Sequence, residues 1–253
     1  MTKRFFRRKR SNKGKKPTMS FSKRVLAVVN KQRELKIATF SGEAPILGGI
    51  TSQSILKVMP SVPQAGNVGA GNATAQEFYR DGNSITLKKI IMRGWITQKV
   101  PVDGSSTRYV VRHLILRQRS ADAKEVLENF GSRFEDGQLL ENARPFNGDI
   151  TSLQTPVNKS AFVARMDKRH YLSSPTVNQA QGDIDADQLN NFKMMQKTLT
   201  FGKGKKLHYG TGGSEDAQNF PYFMALGAST VDGVPATAGL TFNYTCTAYF
   251  FDS

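Results

Sequence analysis

The stretch Leu240–Phe250 alternates without a break. Leu240, Phe242, Tyr244, Cys246, Ala248 and Phe250 form one apolar row, and Thr241, Asn243, Thr245, Thr247 and Tyr249 fall between them. A period of two in β-branched and aromatic residues describes a strand with one buried face, which only further strands or a covering layer can bury. Cys246 lies in the buried row and reads as a small core residue. As the sole cysteine, it excludes an internal disulfide and any Cys-based zinc site.

Similar patterns recur from about Ile37 onward. Phe220, Tyr222, Met224 and Leu226 alternate, with Pro221 placing the start of that segment at a strand end or sheet edge. Tyr109 to Leu116 sets Val110, Leu114 and Leu116 on one face. Ser84 to Val100 predicts one long strand whose phase changes midway: Ile85 and Leu87 are out of step with Ile90, Met92 and Ile96, so a bulge is expected at Lys88–Lys89. Gln53 to Met59, Ala161 to Leu172, Met194 to Phe201 and Lys206 to Tyr209 complete about eight strands. Residues 202–206 (GKGKK) are expected to form a basic turn between the last two of these. One helix, Asp122 to Phe130, interrupts the series. Long polar links at 60–83, 131–160, 173–192 and 210–219 favour a Greek-key sandwich or jelly roll over a meander.

Charge divides the chain unequally. The whole carries a formal +16, yet residues 1–36 hold 14 Lys or Arg against one acid, Glu34. The rest is close to neutral. Nine of the cations fall in KRFFRRKRSNKGKK: Lys3, Arg4, Arg7, Arg8, Lys9, Arg10, Lys13, Lys15 and Lys16. Such a run cannot bury enough apolar surface to offset ordering entropy and is expected to be disordered when free. Flexible cations follow a phosphate backbone of any shape. If all nine engage a single strand, log affinity should fall roughly six units per decade of salt. Phe5 and Phe6 are suited to stacking on unpaired bases. Ser22 could cap an amphipathic helix to about Lys36, with Lys23 and Arg24 as further cations. The expected division is therefore a nucleic-acid-binding arm over 1–36 and a β domain over 37–253. A nuclear import signal fits the same cluster, and a transit peptide is its rival. No apolar run is long enough to cross a bilayer, so no membrane insertion is expected.

Chemical sites are poorly supported. His113, His170 and His208 are far apart in sequence and lack metal-ligand spacing, and His113 beside Arg112 suits a core or surface role. Asp183, Asp185 and Asp187 alternate like a calcium loop, but Gln188 and Met194 stand where such a loop needs Gly and Glu. The glycines of GNVGAG match no dinucleotide fingerprint. Neither catalysis nor any cofactor or metal is expected.

The arm, LKKIIMRGW, VRHLILRQRSA, KTLTFGKGKKLHYG, NFPYFMALG and TFNYTCTAYFFDS together resemble, in order and texture, capsid proteins of small circular single-stranded DNA viruses, the circovirus-like group. The resemblance implies an all-β fold, a single eight-stranded jelly roll with a disordered basic arm and one short helix in a loop. It further implies self-assembly into an icosahedral shell, packaging of single-stranded DNA by the arm cations, nuclear import through a host receptor, and attachment to a cell-surface receptor. The virion and the host nucleus are the expected locations. Coat proteins of small RNA viruses share this plan, so the cargo is DNA by resemblance only. Other readings are a monomeric or dimeric nucleic-acid-binding module and a jelly-roll enzyme or lectin with a localisation tail.

Overall fold

A computed structural model describes residues 20–21, 34–52, 54–65, 78–99, 108–119, 135–173, 177–178, 183–184, 191–210, 214–236 and 239–252. Residues from Leu35 onward form one compact unit. Its strands are β1 (Lys36–Pro45), β2 (Ser84–Gln98), β3 (Arg108–Gln118), β4 (Phe162–Ser173), β5 (Val177–Asn178), β6 (Asp183–Ile184), β7 (Phe192–His208), β8 (Tyr222–Thr230) and β9 (Leu240–Asp252). All pairings are antiparallel: β1-β9-β2-β7 in one sheet, β4-β3-β8 in the second, and the short β5-β6 hairpin. An isolated antiparallel bridge joins Leu56 to Met224 beside β8.

Alternation decides which faces meet. The even row of β9, from Leu240 to Phe250, is buried as its pattern requires. It packs with Ile90, Met92 and Ile96 of β2 and with Val111, Ile115, Met224 and Leu226 of the other sheet. The body is thus an all-β sandwich. In β2 the register shifts between Leu87 and Lys89, and Ile85 and Leu87 are buried on one side of the shift as Ile90 and Met92 are on the other. The bulge at Lys88 corrects the phase, as the sequence pattern demands.

Three expectations change. Residues 202–206 do not separate two strands; they lie inside β7. Lys205 pairs with Leu87 and Thr200 with Lys89, so the extra residues of β7 bulge opposite Lys88. Positive φ at Gly202 (56°) and Gly204 (114°) makes this possible without ending the strand. The segment Gln53 to Met59 contributes only the bridge at Leu56, while Lys36–Pro45 is a full strand that begins where the helix from Ser22 was expected to end. The count is therefore seven strands of nine residues or more. The expected helix 122–130 lies outside the described residues. A different helix, α1 (Ile150–Gln154), forms where Asp149 accepts a hydrogen bond from the Ser152 amide.

The polar link 131–160 also does more than connect. Leu139, Leu140, Phe146, Leu153 and Val157 form a second core with Ile50 and Ile55 against Leu114, Leu116, Phe223 and Ala225, on the far side of β3 and β8. Buried Arg112 ties this layer down. Its guanidinium donates to both Asp167 carboxylate oxygens, at 3.0 and 2.7 Å, and to the carbonyls of Ser152 and Thr155, at 2.6 and 2.7 Å. Buried Arg80 plays a similar part elsewhere, donating to the carbonyls of Val62, Gly82 and Ser214 with its guanidinium over the Tyr209 ring. No helix among the described residues is long and apolar enough to cross a membrane.

Candidate functional site

Lys3, Arg4, Arg7, Arg8, Lys9, Arg10, Lys13, Lys15, Lys16, Lys23 and Arg24 lie outside the described residues, as do Asp185 and Asp187. The site is therefore sought on the body. Among the described residues no group of three or more His, Cys, Asp or Glu side chains could hold a metal ion. Cys246 is buried, and desolvation pushes its thiol up to about 12, so it is a thiol at neutral pH.

The four-stranded sheet presents the most distinctive surface. Its outward row alternates with the buried one: Thr39, Ser41 and Glu43 on β1, Asn243, Thr245 and Tyr249 on β9, Lys89, Arg93 and Trp95 on β2, and Met194, Gln196, Thr198 and Thr200 on β7. Across all four strands, toward the Trp95 end of the sheet, runs a trough of about 760 Å³ lined by Ser41, Glu43, Arg93, Trp95, Met194, Gln196, Asn243 and Thr245. Beneath it, on the inward phase, runs the row Gly42–Tyr244–Gly94. A Cβ on Gly42 would lie 2.7 Å from the Tyr244 ring, and one on Gly94 would lie 2.8 Å from the Phe242 ring. The two rings stack beneath the glycines at 5.1 Å between centroids, and the strands settle onto them. Trp95, on the inner strand β2, is 47% exposed, and its cross-strand partner Met194, on the edge strand β7, is 67% exposed.

Cations flank this trough. Lys89 Nζ lies 4.3 Å from the centre of the Tyr249 ring and Lys88 Nζ 5.3 Å from that of Phe251. Lys88 also donates to the Lys203 carbonyl, and Arg93 donates to Gln196 Oε1. Lys206 pairs with Thr86 on the outward phase beyond the bulge. Among the described residues of this outward row, Lys88, Lys89, Arg93 and Lys206, with Lys203 at the bulge, share the face with one acid, Glu43. Among the described residues none of the five is in an ion pair. The near-neutral total of the body hides this local surplus. The face announces itself in the sequence only as a lone Trp and an Arg on the polar phase of IIMRGWIT.

A second cluster lies between the sheets, where β4 and β7 are both edge strands. His113 and His170, distant in sequence, approach to 6.1 Å between ring centroids, because Val111 and Lys168 are their cross-strand partners on β3 and β4. Burial, then the charges of His170 and Lys168, pushes His113 down to about 3. Burial, then Lys168 and Lys193, lowers His170. Both imidazoles are neutral at pH 7. His113 packs edge-on against Phe242, which fits a core role. His208 is exposed on β7 and apart from this pair.

No family model matches the chain, and no curated protein matches it.

Proposed function

We propose that this chain is a structural coat protein that assembles into a closed icosahedral shell and packages single-stranded nucleic acid, DNA by resemblance, through the cations of residues 1–34. The observation that carries this reading is electrostatic segregation: 13 of the 36 Lys and Arg residues fall in the first 34 positions with only one acid, Glu34, among them. A tail of this kind favours a polyanion that neutralises it, and like-charged tails oppose closure of a shell until that polyanion is present.

Strand order supports a jelly roll as the shell-forming body. With the Leu56 segment taken as a short eighth strand beside β8, β1-β9-β2-β7 faces 56-β8-β3-β4. That is two four-membered sheets built from long-range antiparallel partners, the arrangement of shell and lectin domains. The arm joins β1, an edge strand of the sheet with the cationic outer face. The same cations serve nuclear import, so the protein resides in the virion and, during assembly, in the host nucleus. Its role is not catalytic.

Electron microscopy of the purified protein, with and without residues 1–34, tests the proposal. Closed uniform particles whose formation depends on salt and nucleic acid are expected. Monodisperse monomers under every salt condition would defeat it. That outcome would favour a monomeric or dimeric nucleic-acid-binding module, a reading to which the cationic sheet face lends weight.

A further inference from the structure

Taking the packaging reading as premise, we infer that the trough on the four-stranded sheet is a second nucleic-acid site, in which an unpaired base stacks on Trp95 while Arg93, Lys89 and Lys88 take the adjoining phosphates. Three observations converge on it. Trp95 is half exposed although its strand is paired on both sides, and an indole of that size is buried on average. The cations follow one strand: Arg93 lies two residues and Lys89 six residues from Trp95 on β2, roughly 7 and 20 Å along it. A phosphate backbone running beside β2 therefore meets positive charge at Arg93 and again, roughly 13 Å further past Ile91, at Lys89. Beside Trp95 the lining adds the apolar side chain of Met194, on which a base can also rest, one carboxylate, Glu43, and hydroxyls and amides (Ser41, Thr245, Asn243, Gln196) that hydrogen-bond base edges and sugars without selecting one sequence.

Charge also decides against the obvious competitor. A second copy laying the same face on this one would set cation against cation about a two-fold axis, with Glu43 the one acid available to offset them. A polyanion has no such difficulty. Lys88 and Lys89 are already held over aromatic rings, so less side-chain freedom is lost when a phosphate binds. The arm then supplies salt-sensitive affinity without geometry, and the sheet supplies a fixed point where a base is gripped.

Trp95 is the sole tryptophan of the chain, so its emission reports on this trough alone. The experiment titrates the full-length protein with a fluorescently labelled oligo-dT, following label anisotropy and tryptophan emission together, with a size-matched heparin fragment as a second probe. Saturable quenching of Trp95 is expected to track the anisotropy. Trp95→Ala should weaken oligo-dT binding about tenfold at elevated salt, and Trp95→Phe should restore most of the loss. If oligo-dT binds with no change in emission and equal affinity for Trp95→Ala, the sheet site is overturned while packaging by the arm stands. If oligo-dT does not bind at all, both fall. Heparin that quenches as strongly as oligo-dT would assign the face to sulfated glycans instead. An emission shift that grows with protein concentration alone would assign it to self-contact, and either result overturns the proposal.

Discussion

The two sheets share one core but treat their outer faces in opposite ways. The outer face of β4-β3-β8 is covered by the chain itself: Ile50, Ile55 and the segment around Leu140, Phe146 and Leu153 make a second apolar layer, fastened by Arg112. The outer face of β1-β9-β2-β7 carries no such layer among the described residues, and it presents hydroxyls, amides, cations, the acid Glu43, exposed Met194 and a half-exposed tryptophan. A fully covered face contributes to stability. A sheet face with no covering layer among the described residues, and with cations outside any ion pair on it, is free to bind. Substitutions should therefore separate cleanly, with stability effects on the covered side and binding effects on the open side.

The largest effect is expected at Arg112. Arg112→Ala removes four hydrogen bonds and leaves the Asp167 carboxylate and two carbonyls without their partner, so unfolding free energy in urea should drop by about 3–5 kcal/mol. A loss below about 1 kcal/mol would mean that the covering layer is held by its apolar contacts alone. Gly227 on β8 probes the same layer by overpacking. A Cβ there would lie 2.3 Å from Phe146 and 2.8 Å from Ile50, both inside the second core. Gly227→Ala should cost about 1–3 kcal/mol, and an unchanged midpoint would show that the layer lifts freely from the sheet.

Acid acts on the shared core between the sheets. The unfolded chain protonates His113 near its ordinary 6.5, whereas the folded chain resists until about 3, mainly because the imidazole is buried. Its contribution is complete above pH 6.5 and is lost as pH falls towards 3, amounting to about 2 kcal/mol by pH 5. His170 is shifted the same way and Lys168 and Lys193 add repulsion, so acidification loosens the β4–β7 edge from both sides. Urea midpoints at pH 7 and pH 5 check this. The gap between the two should narrow for His113→Leu, and an unaltered gap would remove His113 from the acid response.

What could be read in the sequence followed from how many residues carried each signal. β9 announces itself with six apolar positions in phase, and the Lys88 bulge with two phases that cannot share one face. β1 has only Ala38 and Phe40 to mark its inner face before Gly42, where the Tyr244 ring fills the space, so its alternation is nearly silent. The covering layer escaped because its apolar residues are spaced by 3-10 turns and loops, with no single period. The role of Arg112 is silent in the sequence because nothing local reveals Asp167 or the Ser152 carbonyl. The trough needs four strands in register before it exists, and the pairing of His113 with His170 needs the β3–β4 ladder.

The smallest stability effect should come from the open face, and it sharpens the contrast most. Trp95→Ser deletes a large side chain, yet that side chain is 47% exposed and lies over the trough rather than in either core. The expected change in unfolding free energy is within about 0.5 kcal/mol, as for surface positions that are not part of a packed cluster. Lys89→Ser should behave alike, since a cation over an exposed Tyr249 is worth about 0.5–1 kcal/mol at most. Both substitutions remove side chains that belong to neither apolar core. A loss above about 2 kcal/mol at Trp95 would place it among the residues that hold the sheet together, and the open face would then be a part of the fold that happens to meet solvent.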